Sequence, residues 1–206
     1  MPDAPTSLTE DEALRSSTTL GFTWSDGSHN GGQTVESYRI QQRVVGGSFS
    51  VVASGVTSKT YTAQSLTLGT EYEFTVESYN AQGFSSPSAT FTILHALPPV
   101  ISAPTTSNSG QNIIVDWTAA DAQGSAVTSY LVELRQSDGT TFSTDATNCD
   151  GSDSTIMANT ECTIPLSVLT AAPFSLTLNT DIYARVTATN SKGSTTSVAG
   201  TGAHVI

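Results

Sequence analysis

Leu20-Gly21-Phe22-Thr23-Trp24 and Ile113-Ile114-Val115-Asp116-Trp117 decide the fold. Successive side chains of an extended strand point to opposite faces, so Leu20, Phe22 and Trp24 share one face, and so do Ile113, Val115 and Trp117. Each stretch predicts a half-buried strand that ends on one of the two tryptophans, placed in a core where an indole buries most area. The alternative role, stacking on sugar rings, needs an exposed indole and is disfavoured by the alternation.

Outward from these strands the same features recur in the same order. A polar turn follows each tryptophan, at 25–32 and 118–124, and a second strand then opens at Val35/Tyr38 and Val127/Tyr130. Its inward positions are Ile40, Gln42 and Val44 in one copy, with Gln42 an imperfect fit, and Val132 and Leu134 in the other. A third run passes through Tyr72, Phe74 and Val76 to Asn80-Ala81-Gln82-Gly83. Its counterpart passes through Ile182, Ala184, Val186 and Ala188 to Asn190-Ser191-Lys192-Gly193. Asn-x-x-Gly suits a tight turn into a final strand.

Ordered recurrence over this distance marks an internal repeat of one β-domain. The Trp24–Trp117 spacing is 93 residues and Tyr38–Tyr130 is 92, whereas Asn80–Asn190 is 110. The second copy therefore carries an insertion, placed between Gln136 and Leu176, where Cys149 and Cys162 also fall. The chain is expected to divide into a first domain at 1–95, a linker at 96–99 and a second domain at 100–206. The last strand of the first domain is expected to end near Ile93 or Leu94. Pro98-Pro99 restricts the backbone to extended geometry, so the domains are expected to follow one another as a stiff rod.

Trp24 on the second strand, Tyr38 on the third and Leu66 through Tyr72, a Leu-x-x-Gly-Thr-x-Tyr run, resemble the fibronectin type III family. The resemblance implies an all-β fold, two tandem fibronectin type III-like Greek-key sandwiches arranged end to end. It also implies a core built on Trp24, Tyr38, Tyr72, Trp117, Tyr130 and Ile182. In that family the tyrosine at the corner before the sixth strand bonds back to the chain, a role that falls to Tyr72. The second copy departs from the pattern: Ile182 holds the inward position, and the neighbouring Tyr183 is expected to face outward without the corner bond.

Acidic residues outnumber basic ones 18 to 7, a net charge of −11. Such a chain is repelled by phosphate backbones and anionic membrane surfaces, so neither nucleic acid nor membrane insertion is expected, and no apolar run is long enough to span a bilayer. The first residues lack a secretory signal. With Pro2-Asp3-Ala4-Pro5 in the manner of a domain start, the chain is expected to be a piece of a longer mature protein.

Cys149 and Cys162 enclose twelve residues and are expected to form a disulfide, which points to an oxidising compartment. Neither the spacing of a metal site nor a neighbouring base that would activate a thiol is present. Asp145, Asp150 and Asp153 lack the alternating ligands and terminal Glu of a calcium loop, and no metal or cofactor is expected. Glu71, Glu73 and Glu77 share an outward face opposite Arg39 and Arg43; paired carboxylates serve glycoside hydrolysis only in a cleft, so cross-strand ion pairs are expected instead. His29, His95 and His204 have no nucleophilic elbow beside them.

Neither Arg-Gly-Asp nor an Asn-x-Ser/Thr sequon occurs, while Ser85-Ser86-Pro87-Ser88 and Thr195-Thr196-Ser197 are candidate sites for O-linked sugars. Repetition without chemistry points to a non-enzymatic extracellular structural or adhesive module, a segment or subunit of a surface protein or filament. Protein–protein contacts are expected, including self-association into fibres through the exposed loops or the final strand at 196–206. The alternative is a spacer or carbohydrate-binding module of a larger secreted enzyme.

Overall fold

The structure is a computed structural model that describes all 206 residues. The chain separates into two compact units, Met1–Leu97 and Pro98–Ile206.

The first unit runs β1 (Thr6–Asp11), β2 (Leu20–Ser25), β3 (Ser37–Val44), β4 (Ser50–Val56), β5 (Thr60–Ala63), β6 (Thr70–Asn80), β7 (Gly83–Phe84) and β8 (Phe91–His95). One sheet has the order β1-β2-β5; the other has the order β4-β3-β6-β7, with β8 also paired to β6. The inward residues of both sheets form one core. Phe22 is its hub, with the rings of Trp24, Tyr61, Phe74 and Phe91 centred 4.8–5.9 Å away. A fully buried side chain of this size contributes about 1.5–3 kcal/mol of transfer free energy.

Two local details differ from the sequence expectation. Val44 is 50% exposed rather than inward; it is the last residue of β3, where the chain leaves for a hairpin turn through Gly46, whose φ of +83° favours glycine. The strand β8 continues through His95, whose ring is fully buried against Tyr72 with Nε2 2.9 Å from the Ser16 carbonyl. The following Ala96 is buried as well.

The second unit runs β9 (Thr105–Ser109), β10 (Asn112–Asp116), β11 (Ser129–Arg135), β12 (Phe142–Ser143), α1 (Ser154–Asn159), β13 (Glu161–Pro165), α2 (Leu166–Leu169), β14 (Asp181–Asn190), β15 (Gly193–Thr196) and β16 (Gly200–His204). Its sheets repeat the plan, β9-β10-β13 and β12-β11-β14-β15, with β16 paired to β14. The extra length is not one insertion but two. The connection 144–160 carries α1, and 166–180 carries α2; the matching connections in the first unit are only 57–59 and 64–69. The second connection returns Leu166, Leu169, Phe174 and Leu176 to the core, which is otherwise mostly aliphatic where the first unit is aromatic.

Candidate interaction surfaces

Trp24 is 4% exposed and packs edge-on against Tyr38, with ring centroids 5.2 Å apart; Trp117 is 2% exposed and meets Tyr130 the same way at 5.5 Å. Each tyrosine reaches the loop after its tryptophan. The Tyr38 hydroxyl donates to the Asp26 carboxylate, and the Tyr130 hydroxyl accepts the Ala120 N–H at 3.1 Å. Asn80 and Asn190 tie down the same loops. Each uses its side-chain NH2 to bond two loop carbonyls, Asn30 and Gln33 in one domain and Ala122 and Ser125 in the other, while its Oδ1 accepts an N–H two residues on. Tyr72, near the start of β6, accepts the N–H of Thr67 in the preceding turn at 3.0 Å. At the matching place Ile182 is fully buried, and the half-buried Tyr183 lies under the Arg135 guanidinium at 3.5 Å.

Residues 3–93 match the family model of the fibronectin type III domain. The match falls on the first domain, which is similar to the fibronectin type III domain. Solved structures similar to the chain include domains A168-A170 from titin, at 23% identity and TM-score 0.43 over 46% of this chain and 32% of that one. The FN1-FN3 domains of chicken CNTN1 match at 19% identity and TM-score 0.41 over 97% of this chain and 66% of that one. The twitchin kinase region from C. elegans matches at 27% identity and TM-score 0.42 over 46% of this chain. The chain spans 32% of the titin segment and 16% of the twitchin region. Fibronectin type III domains are typically non-enzymatic protein-interaction modules of multidomain proteins.

The outer face of the five-stranded sheet carries the carboxylates. In the first domain, Arg39 stands opposite Glu77 and Arg43 opposite Glu73 in the β3–β6 register. Arg39 Nε and Nη2 donate to Glu77 at 2.6 and 2.8 Å, Gln41 adds a third bond at 2.8 Å, and Arg43 Nε donates to Glu73. The Arg39 bonds hold the Glu77 carboxyl below the usual range against the opposing effect of burial. Both guanidinium groups stack on rings, Arg39 on Phe84 at 4.0 Å and Arg43 on Phe49 at 4.2 Å. Glu71, the third of the set, is exposed. The second domain reverses the pair: Glu133 on β11 takes both bonds from Arg185 on β14, and Arg185 stacks on Phe142. This pair was not singled out from sequence, although Glu133 and Arg185 sit on the outward alternation.

An open cleft of about 800 Å³ lies at the loop end of the first domain, bordered by Asp3, Asp26, His29, Tyr38 and Lys59. Asp26 is bonded to Lys59 Nζ at 2.6 Å and to Tyr38. Burial pushes the Asp26 carboxyl up, but these hydrogen bonds outweigh it and hold the group low; burial and the same carboxylate push Tyr38 far up. His29 Nδ1 meets Asp3 at 3.0 Å on the exposed loop. His95 is buried in β8 and His204 lies in β16, so the three histidines occupy separate elements.

Cys149 and Cys162 are bonded, and both are buried. The bond joins the connection 144–160 to β13. Its three aspartates act as local caps: Asp145 accepts from Thr147 N and Asn148, Asp150 from Ser152, and Asp153 from the first N–H groups of α1. The connection also covers the sheet edge, since Tyr130 N–H donates to the Gly151 carbonyl at 2.9 Å.

The serine-rich tracts are mostly spent on the fold. Ser85 and Ser88 are buried, and their hydroxyls accept the N–H groups of Ser78 and Val76; Ser197 does the same for Val186. Ser86 and Thr196 remain exposed. The final strand is also engaged, because Asn108 bonds the His204 backbone through both its amide groups and the Thr106 hydroxyl accepts Ala203 N–H.

Proposed function

We propose that this chain is a non-enzymatic interaction segment of an extracellular structural or adhesive protein. The observation that carries this is how its polar groups are used. The carboxylates brought together on the outer faces serve ion pairs that staple neighbouring strands, and the loop-end cleft is bordered by groups already paired with one another. Exposed apolar surface, by contrast, gathers on the β3–β4 hairpin, as suits a surface that meets other protein. The disulfide fits an oxidising compartment, where small sandwiches are stapled this way.

The test is differential thiol alkylation of the protein in its native source, before and after reduction. Cys149 and Cys162 should be blocked from the first reagent and labelled only after reduction, in a surface or extracellular fraction. Thiols labelled without reduction, in a cytosolic fraction, would overturn the proposal.

A further inference from the structure

We propose that the free edge of β4 is a self-association surface, where a second copy of this chain adds its own β4 in antiparallel pairing. The inference rests on the interaction-module proposal and names one partner for it. Within its sheet β4 stands at the end of the strand order and pairs only with β3. Its other edge therefore offers backbone N–H and C=O groups to solvent.

The usual protections of such an edge are missing here. No Lys, Arg, Asp, Glu or Pro occurs from Val44 to Ser58. The flanking cations are neutralised on their own domain, Arg43 by Glu73 and Lys59 by Asp26. Four of the molecule's exposed large apolar residues cluster on this hairpin: Val44 at 50%, Val45 at 44%, Val51 at 54% and Val52 at 40%. The same edge of the second domain is handled differently. There β12 has only two residues, and the disulfide-tied connection covers the strand behind it through Gly151 and Tyr130.

Charge selects a second copy as the occupant. The chain carries a net charge of −11, so two copies repel wherever their acidic faces approach. Along 44–58 any antiparallel register places uncharged residues opposite uncharged residues. A strand paired with itself about a twofold axis uses the same patch on both copies and closes after two, so the product is a dimer and not a fibre. Two register shifts between β3 and β4 twist the edge and shorten the ladder it offers. The interface therefore falls below the ~1,200 Å² of a standard one, and association is weak.

Sedimentation equilibrium of the full chain, from about 10 μM to about 1 mM, covers the range in which such interfaces form. The mass average should rise towards that of a dimer and stop there. Changing Val51→Lys together with Val52→Lys should weaken association at least tenfold, since two like-charged lysines per strand would then face each other, while thermal unfolding stays unchanged. Val198→Lys, on the second domain where Val198 is 76% exposed, should leave association as it was. Slowed amide hydrogen exchange across 50–56 at high concentration is the second expected sign. A monomer at every concentration, growth beyond a dimer, or a dimer indifferent to the lysines would each overturn the proposal. None of these results touches the thiol experiment, so the two claims fail separately.

Discussion

The first domain is held by aromatic packing and strand-bridging ion pairs; the second is held by added chain. Where Phe22 gathers four rings around itself, the second domain returns Leu166, Leu169, Phe174 and Leu176 from a long connection to fill its core. Where Tyr72 pins the corner before β6, Ile182 only packs. The edges differ in the same sense. The second domain covers the edge beyond β11 with a disulfide-tied connection and seals β9 to β16, whereas the first leaves β4 open and keeps a groove of about 310 Å³ beside Ser7 and Leu8. One strand plan therefore supports two ways of finishing a sandwich, by side chains or by extra backbone.

The largest test of this contrast is reduction of the disulfide. Closing a loop of this length contributes about 3 kcal/mol, so reductant should lower the unfolding temperature of the second domain by roughly 10–20 °C. Calorimetry should show the transition of the first domain unmoved; a shift in both would break the comparison.

Acid addresses the other domain. The Glu77 carboxyl is held low, so its contribution is fully present above the ordinary Glu pKa of about 4.3 and is lost as pH falls through the depressed folded value. At pH 7, Glu77→Gln should cost the first domain about 2 kcal/mol, since it strands a guanidinium that made charged hydrogen bonds. Urea titrations at pH 7 and pH 3 should find the gap between the two proteins narrowing in acid. The smallest effect belongs to Tyr72→Phe, which removes the hydrogen bond from Thr67 and should cost about 1 kcal/mol. Tyr183→Phe should be neutral by the same measurement, because the Tyr183 ring keeps its stack under Arg135.

Strand positions were legible in the sequence because a period of two writes itself into local residue choice, as at Leu20, Phe22 and Trp24. The corner residue and its absence were legible too, since counting back from Asn80 and Asn190 gives Tyr72 and Ile182. Other features depend on parts of the chain far apart in sequence. Nothing local to Asn80 says that its amide reaches carbonyls of the preceding loop, fifty residues earlier at Asn30. The spacing of the repeats gave the size of the extra chain, but its division into two connections follows from where β13 pairs with β10. The open edge at β4 was hidden for the same reason, since an exposed valine and a buried one look alike until the neighbouring strand is known.

Gly200 and Gly202 lie so close to β9 that a side-chain carbon at either would overlap the carbonyl oxygens of Pro104 and Thr106. Together with the Thr106 and Asn108 bonds, they lock the first and last strands of the second domain side by side, running in the same direction. Tension applied to the two ends of this domain would load those contacts in shear, all at once rather than one after another. The first domain, with a groove in the corresponding place, has no such clasp. Under a pulling force the pair would behave as a fuse and a stop: the first domain extends, and the second keeps its length.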